Sequence, residues 1–289
     1  MLTSLYKELN SPLSPLPTGL EPKLPQWDDI RAVIFDIYGT LVLSGTGDIS
    51  IAQSIDKESE LRGLFGESAG ILAPSIKLSE IFYDLIKEDH ALSKAKGASY
   101  PEVDILEIWA RFFQRLKSHG YNGPTLEGEA LKDFAIRFEC AVNPVWPMPG
   151  IEGTLKKLDD EGFKLGIVSN AQFYTPVMME GFMGQTIEQL GFQSNLCVWS
   201  YQERLGKPSV ELFEKLNAAL EARGIQPSQA LYVGNDMLND IWTANQAGLK
   251  TALFAGDRRS LRLRESDERC KDLEPDAILT ELTQLLQLI

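Results

Sequence analysis

The sequence of 289 residues lacks the features that mark secreted and membrane-embedded proteins. Its three cysteines, Cys140, Cys197 and Cys270, are too few and too widely spaced for a disulfide framework or a zinc site. It has no unbroken run of the ~18 to 20 apolar residues that a membrane span needs, and no signal-peptide pattern. We therefore expect a cytoplasmic protein that does not bind membranes.

Basic residues and histidines are also scarce. The chain has 28 Lys and Arg against 41 Asp and Glu, a formal net charge of -13, whereas a nucleic-acid site needs clustered basic side chains. His90 and His119 each stand in a helix-like stretch without a cysteine or second histidine nearby, so we assign them no metal-binding role. The expected partner is a small molecule and no nucleic acid, with the chain as a monomer or homodimer.

What the sequence does contain is an alternation of strand and helix patterns. The apolar, β-rich run Ala32 to Asp36 is typical of a strand buried on both faces of a parallel sheet. Helices are predicted at 151–160, 177–190, 210–222 and 241–247, and strands at 164–168, 196–199, 230–233 and 251–254. Such alternation predicts an α/β fold with a Rossmann-like parallel sheet core.

Two segments depart from this alternation. Residues 50–146 have helical periodicity, with apolar stripes such as the one through Ile108, Trp109 and Phe112, and predict an all-helical cap domain. The cap is inserted into a core domain made of residues 28–49 and 147–289. Residues 1–27 hold five prolines, which we expect to exclude a regular helix and to give an extended N-terminal arm.

Polar residues follow four of the predicted strands. They are Asp36, Ser169 with Asn170, Lys207, and Asp236 with Asp240. Because parallel strands bring their carboxyl ends to one edge of a sheet, we expect these side chains to meet there. Asp36 can attack a phosphoryl or carbon centre, Ser169 can bind the transferred group, and Lys207 can neutralise charge. Carboxylates at Asp236 and Asp240 suit Mg²⁺.

With these motifs the sequence resembles the haloacid dehalogenase-like hydrolase superfamily. The motifs are FDIYGTL (35–41), IVSN (167–170), GKP (206–208) and VGNDMLND (233–240), and the resemblance covers roughly residues 28–289. It implies that Asp36 is the nucleophile and Thr40 its support. It also implies that Ser169 and Asn170 form the second motif and that Lys207 is the third-motif cation.

The resemblance further implies a Mg²⁺ cofactor and a small anionic substrate. The metal ligands would be Asp36, the backbone carbonyl of Tyr38 and a residue of the fourth motif. Most members place an acid directly after the glycine of that motif, where this chain has Asn235, and the acid is shifted to Asp236. Asp240 matches the later acid, so the choice among these three ligands stays open.

Tyr38 is the second departure from the family pattern. Phosphatases of the family usually carry an Asp there, which protonates the leaving group, and a tyrosine of pKa ~10 does this poorly at neutral pH. We therefore expect a Mg²⁺-dependent phosphohydrolase acting on a small phosphorylated metabolite with a good leaving group. The Asp-x-Tyr pattern is also typical of metal-free 2-haloacid dehalogenases, although Arg62 is the only nearby counterpart of their substrate-binding cap arginine. A catalytically weak binding or scaffold protein is the third alternative.

Two further segments have predicted roles. We expect the helical cap to choose the substrate, with the polar loop Tyr100 to Asp104 either facing the cleft or simply starting a helix. A basic cluster follows the last predicted strand and is formed by Arg258, Arg259, Arg262 and Arg264. This cluster is consistent with binding of an anionic group or with pairing to Glu265, Asp267 and Glu268, and we favour the pairing.

Overall fold

The computed structural model describes residues 1–46, 57–68 and 75–289, and a six-stranded parallel sheet forms its centre. In chain order the strands are β1 (Ala32–Phe35), β2 (Val42–Ser44), β3 (Val145–Pro147), β4 (Lys164–Ser169), β5 (Phe192–Trp199), β6 (Ala230–Gly234), β7 (Lys250–Phe254) and β8 (Ala277–Leu279). The sheet has the order β5-β4-β1-β6-β7-β8, and β2 pairs with β3 in a separate antiparallel ribbon. The predicted parallel α/β core is confirmed.

Strand β1 lies in the middle of the sheet and all four of its residues are buried. Its last residue, Phe35, pairs with Ile167 of β4 on one side and with Val233 of β6 on the other. The chain fills the β4 and β5 side first and then returns to fill the β6, β7 and β8 side. This reversal of strand order creates a crevice at the carboxyl end of β1, where ligands bind in sheets of this kind.

Helices surround the sheet. They are α1 (Ser4–Leu9), α2 (Lys57–Ser68), α3 (Leu78–Ala95), α4 (Ile105–Ser118), α5 (Gly128–Val142), α6 (Ile151–Asp160), α7 (Tyr174–Met183), α8 (Ser200–Glu203), α9 (Glu211–Glu221) and α10 (Thr243–Gln246). Short 3₁₀ turns lie at Pro227–Gln229 and Leu282–Gln287. The helices predicted at 151–160 and 210–222 are confirmed as α6 and α9.

Two predicted helix boundaries are wrong. The helix predicted at 177–190 ends at Met183, because Gly184 takes a left-handed conformation with φ 69° and closes the last turn. The helix predicted at 241–247 begins earlier, as a π-helical turn over Met237–Trp242. Its start is set by Asp236, whose side chain accepts hydrogen bonds from the first free backbone N–H groups of that turn.

Helices α2 to α5 lie between β2 and β3 in the chain and have a hydrophobic cluster of their own. Trp109 is fully buried at the centre of this cluster, and its ring stacks on Phe82 with centroids 4.4 Å apart. We call α2 to α5 with their described connections the helical insertion. The exact domain limits stay predictions, and residues 50–56 and 69–74 of the predicted cap lie outside the described residues.

The N-terminal arm is only partly extended. The prediction that it contains no regular helix is wrong, because its prolines begin at Pro12 and leave the preceding residues free to form α1. Tyr6 of α1 is buried and packs on Phe182 of α7. The later part of the arm is extended and is tied to the core by hydrogen bonds such as Trp27 N to the Leu288 carbonyl, 2.7 Å.

Candidate active site

Asp36 lies directly after β1 in the crevice at the carboxyl ends of the strands. Its backbone N–H donates to the Val233 carbonyl, and its side chain is buried. One carboxylate oxygen, Oδ1, accepts from Ser169 Oγ at 3.0 Å and from Lys207 Nζ at 2.7 Å. Within the described part of the chain, no donor reaches the other oxygen, Oδ2. The carboxylate is thus held by one oxygen and has the other available for attack.

The turn after Asp36 requires a glycine. The Ile37 carbonyl accepts backbone hydrogen bonds from the next residues of the turn, and Gly39 has φ 88°. A Cβ atom on Gly39 would lie 2.6 Å from Ser260 Cβ and 2.7 Å from Asn235 Nδ2. The hydroxyl of Thr40 donates to Asn235 Oδ1 at 3.1 Å, so it supports the fourth-motif loop and is not bonded to Asp36.

Lys207 is the buried cation of the site. Its Nζ contacts Asp36 Oδ1 at 2.7 Å, Asp240 Oδ1 at 2.5 Å and the Tyr232 hydroxyl at 3.0 Å. Burial lowers the pKa of Lys207, but the charges of Asp240 and Asp36 outweigh burial and leave the pKa raised. Asn170 holds the backbone of Lys207, accepting from its N–H at 2.7 Å and donating to its carbonyl at 3.3 Å.

At position 38, where phosphatases of the family usually carry an acid, the chain has the phenol of Tyr38. Its hydroxyl lies 3.0 Å from Thr175 Oγ1. Burial, followed by the negative charge of Glu139, raises the pKa of Tyr38 far above its ordinary value of 10.0. A phenol of that kind keeps its proton throughout the physiological range. This supports the expectation that no proton donor acts from position 38.

The polar side chains of the fourth motif, Asn235, Asp236 and Asp240, are all bonded to other protein groups. Asp236 caps the π-helical turn and forms a salt bridge with Arg264, Oδ2 to Nη2 2.5 Å. Asn235 accepts from Thr40 and donates to the Ser260 carbonyl at 2.6 Å. The two oxygens of Asp240 accept from Lys207 and from the Asp236 backbone N–H. Burial raises the pKa of Asp240 to about 6, against the opposing charge of Lys207.

These contacts do not fit the predicted magnesium site. Mg²⁺ needs a near-octahedral shell of oxygen atoms with carboxylate ligands, but an ammonium group already bridges Asp36 and Asp240, and a guanidinium neutralises Asp236. Among the described residues, no group of three or more His, Cys, Asp or Glu side chains is arranged to hold a metal ion. The positive charge at this edge of the sheet comes from lysine and arginine.

A cavity of about 480 Å³ joins the strand ends to the helical insertion. One side, which we call the sheet wall, carries Asp36, Asn170, Lys207 and the fourth motif. The other side, the insertion wall, is mainly aromatic and is lined by Phe82, Tyr83, Trp109 and Phe138. The site therefore offers a charged reaction centre facing an apolar pocket, as is common for small-molecule sites.

The insertion wall also carries polar side chains that were not predicted as site residues. Glu139 is buried and accepts from the Tyr174 hydroxyl at 2.9 Å and from Asn143 Nδ2 at 3.1 Å. Lys57 lines the cavity with its Nζ 5.0 Å from the centre of the Tyr83 ring. The sequence gives one sign of Glu139: it is a charged residue next to Phe138, on the apolar side of an amphipathic helix.

The loop Tyr100 to Asp104 serves both of its predicted alternatives. Asp104 caps α4 by accepting from the Leu106 N–H at 2.9 Å, while Glu102 lines the cavity. Glu102 accepts from Ser200 Oγ at 3.0 Å and from the Val103 N–H at 2.9 Å. Burial raises the pKa of Glu102 to about 7, although those hydrogen bonds lower it.

Of Arg62 and the two histidines, His90 lines the cavity and the other two do not. Arg62 forms a salt bridge with Glu58 at 2.7 Å and donates to the Ile76 carbonyl, and it does not line the cavity. His90 lines the cavity, with its pKa lowered by burial. His119 lies at the end of α4, 2.9 Å from the Arg115 carbonyl.

The salt bridges of the basic cluster differ from the predicted ones, although the charge of Arg264 also lowers the pKa of Asp267. Arg259 pairs with Asp257 at 2.9 Å and Arg264 pairs with Asp236, whereas Asp267 pairs with Arg269. The reason is a backbone bridge between Asp236 and Arg262, which folds this loop against the fourth motif rather than against the acids that follow it. Arg262 lines the cavity as a result.

The buried side chains of Asp36, Ser169 and Lys207 contact one another beside the carboxyl ends of the parallel strands. In open α/β sheets, ligands bind in the crevice at this position. The model of the haloacid dehalogenase-like hydrolase family matches residues 30–248, so the chain belongs to that family and is a hydrolase. Among the described residues, no helix has the length and apolar character needed to cross a bilayer.

Similar proteins of known name include phosphatases. The chain is 25% identical to a glyceraldehyde 3-phosphate phosphatase of Pyrococcus furiosus, over 65% of this chain and 78% of the relative. It is 27% identical to a ribulose-1,5-bisphosphate 5-phosphatase of Halopiger xanaduensis, over 76% of this chain and 91% of the relative. A solved 2-haloacid dehalogenase from Pseudomonas syringae pv. tomato DC3000 shares the fold, with a TM-score of 0.55 and 24% identity, covering 89% of this chain and 97% of that one.

Proposed function

We propose that this hydrolase forms a covalent intermediate on Asp36 and acts on a small phosphorylated substrate whose leaving group departs without a proton. The observation that carries this proposal is the hydrogen bonding of the Asp36 carboxylate. Ser169 and Lys207 both hold Oδ1, and no described donor occupies Oδ2. A carboxylate fixed in this way has one oxygen oriented for attack, which removes much of the entropic cost of the reaction.

The proposed reaction has two displacements at phosphorus. In the first, Asp36 Oδ2 forms a bond to the phosphoryl group while the bond to the leaving group breaks, and the leaving group departs as an anion. In the second, water attacks the aspartyl phosphate, and inorganic phosphate and the Asp36 carboxylate are released. Lys207 lies 2.7 Å from Asp36 Oδ1 and neutralises charge through both steps.

The choice of leaving group follows from Tyr38. Because its pKa is raised, the Tyr38 hydroxyl keeps its proton at neutral pH and is a poor general acid. The lack of a general acid slows reactions by about 10²- to 10⁴-fold. Acyl phosphates and phosphoanhydrides suffer least because their leaving groups are stable anions. A phospholysine phosphohistidine inorganic pyrophosphate phosphatase of Homo sapiens is 31% identical over 30% of this chain and 30% of the relative, and the pyrophosphate in its name is a phosphoanhydride.

A 2-haloacid dehalogenase is the second candidate. It is favoured by the pairing of Asp236 with Arg264 and of Asp240 with Lys207, because this reaction needs no metal and a halide needs no proton. Arg62, the predicted counterpart of the substrate-binding cap arginine, is paired with Glu58 and does not line the cavity. In this case Asp36 Oδ2 forms a bond to C2 of the substrate while the carbon–halogen bond breaks and halide leaves. Water then attacks the carbonyl carbon of the Asp36 ester, which releases the 2-hydroxy acid and restores the Asp36 carboxylate.

The first test is a panel of acyl phosphates, anhydrides, sugar phosphates and 2-haloacids, each assayed in EDTA and in Mg²⁺. We expect turnover of an acyl phosphate or anhydride that Asp36→Asn lowers by about 10⁴-fold. Asp28→Asn is the matched control, since Asp28 is exposed and lies before β1. Equal activity of Asp36→Asn and wild type on every substrate would contradict the proposal and favour a binding or scaffold role.

An isotope experiment separates the two enzymatic candidates. In a single turnover in H₂¹⁸O, water attack on an aspartyl phosphate places ¹⁸O in the released phosphate. Water attack on an aspartyl ester of a haloacid places ¹⁸O in the Asp36 side chain. Mass spectrometry of the product and of the peptide that contains Asp36 distinguishes the two results. Halide release in EDTA with label in Asp36 would establish the dehalogenase instead.

A further inference from the structure

The sheet wall has a deficit of positive charge for an enzyme that binds anions. Asp36 and Asp240 both contact the same ammonium group of Lys207, so these three buried side chains carry one net negative charge when ionised. A negative substrate approaching Asp36 meets this charge in a cavity with an aromatic wall, where Coulomb forces are stronger than in bulk water. Binding therefore needs another cation beyond Lys207.

The other positive charges near the cavity are paired with protein groups or are not expected there. The described side chains do not fit a resident Mg²⁺. Arg264 forms a salt bridge of 2.5 Å with Asp236. Lys57 lies on the insertion wall, over the ring of Tyr83, and its charge acts on the buried carboxyl of Glu139. None of these supplies free positive charge beside Asp36.

Arg262 differs from these residues in its bonding. Its backbone is fixed against the fourth motif, since its N–H donates to the Asn235 carbonyl at 3.0 Å and its carbonyl accepts from Met237 N at 2.8 Å. Its Nη1 donates to the carbonyls of Arg259 and Leu261. Among the described residues, no carboxylate pairs with Arg262, Nη2 donates to no protein atom, and Nε is buried without a partner.

We infer that Arg262 is the anion-binding residue of the cavity and takes over the charge that a metal ion would otherwise supply. Its ligand is the oxyanion group of the substrate, a phosphate or a carboxylate. The loop tethers leave Nε and Nη2 as two adjacent donors, the arrangement in which arginine binds planar or tetrahedral oxyanions. The neutral Asn235 beside it, where the family usually has an acid, removes a competing partner. The inference rests on the proposed site but not on turnover.

Isothermal titration of EDTA-treated protein with inorganic phosphate and, separately, with propionate tests this inference. We expect the wild type to bind at least one of these anions, and Arg262→Met to bind it about 10- to 100-fold more weakly, as for loss of a charged hydrogen bond. Arg262→Lys, which keeps the charge but loses the two-donor geometry, should lie between them. Arg258→Met is the matched control in the same loop, because Arg258 is exposed, and it should bind as the wild type does.

The binding results distinguish the kind of anion and test the role of Arg262. Phosphate binding alone identifies a phosphoryl substrate and propionate binding alone a carboxylate, and either supports the inference if Arg262→Met weakens it. Unchanged affinity in Arg262→Met, wild-type binding only when Mg²⁺ is added, or no binding of either anion would overturn it. Thermal unfolding checks that Arg262→Met is folded, and Arg262→Lys decides the question if it is not. Because only binding is measured, inactivity of the wild type would sink the proposed function without affecting this result.

Discussion

The side chains on the two walls of the cavity are held in place by different interactions. On the sheet wall, charged side chains are fixed by short hydrogen bonds, as where Lys207 contacts both Asp36 and Asp240. On the insertion wall, aromatic packing around Trp109 provides the order, and the carboxyls of Glu102 and Glu139 have neutral donors as their hydrogen-bond partners. The sheet wall is therefore ordered by ion pairs, and the insertion wall by packing and neutral hydrogen bonds.

This difference has an energetic side. Removing one member of a buried ion pair leaves an uncompensated charge and is strongly destabilising, whereas a carboxyl bonded to neutral donors can be neutralised at little cost. Substitutions on the sheet wall should thus damage activity and stability together. Substitutions on the insertion wall should leave the fold intact and change the pH dependence or the range of substrates.

The largest effect is expected for Lys207→Met on the sheet wall. Loss of the ammonium group leaves Asp36 and Asp240 as neighbouring buried anions, so we expect turnover to fall about 10²- to 10³-fold and stability to fall by about 3–5 kcal/mol. Activity assays and urea unfolding measure the two effects. Lys156→Met is the control, since Lys156 is exposed and pairs with Asp160 on α6. A fully stable Lys207→Met protein would break the contrast between the walls.

Tyr38→Asp tests a residue that the two walls share, because Tyr38 lies two residues after the proposed nucleophile and the charge of Glu139 acts on its hydroxyl. A carboxyl at position 38 can exchange a proton, so we expect the ratio of alkyl phosphate to acyl phosphate hydrolysis to rise about 10²-fold. Tyr38→Phe is the control and should leave the ratio unchanged, since the phenol holds its proton. A similar change of ratio in Tyr38→Phe would show that the hydroxyl itself takes part.

The smallest effect concerns Glu102 on the insertion wall. Its pKa is raised from 4.5 to about 7, chiefly by burial, so the folded protein holds this proton more tightly than the unfolded chain. Ionising Glu102 therefore lowers stability as the pH rises from about 4.5 to about 7, and the loss is constant above that range. Glu102→Gln should be more stable than wild type by about 1–3 kcal/mol at pH 8 and equal to it near pH 4.5.

Urea unfolding at both pH values measures this difference for Glu102→Gln. Glu214→Gln provides the comparison, because Glu214 is exposed on α9 and lies outside the insertion wall. If Glu102→Gln is as stable as wild type at pH 8, the carboxyl is not held in its neutral form by the insertion wall.

The two walls also differ in how far the sequence predicts them. Asp36, Ser169 and Lys207 were predicted together because each follows a parallel strand, and the topology of such a sheet leaves their side chains one place to meet. The sheet and the helices α6 and α9 were also predictable, from the alternation of strand and helix patterns. The partners of the fourth motif were not predictable, since the pairing of Asp236 with Arg264 depends on how a loop folds back after β7.

The insertion wall was predicted only as a set of helices. Periodicity shows which face of a helix is buried but not what lies opposite it, so Glu139 and Lys57 gave no sign that they share a cavity. The prolines of the arm predict an extended segment, but they begin at Pro12 and do not restrict the residues of α1. Helix ends depended on local details such as the left-handed conformation of Gly184.

The most direct test of the account is to look for the covalent intermediate. Wild-type protein in EDTA is mixed with the substrate that it turns over fastest, quenched in acid within the first turnover and analysed by peptide mass spectrometry. We predict a phosphoryl adduct on the peptide that contains Asp36, absent from Asp36→Asn. Turnover at the wild-type rate without any adduct on that peptide would contradict the assignment of Asp36 as the nucleophile.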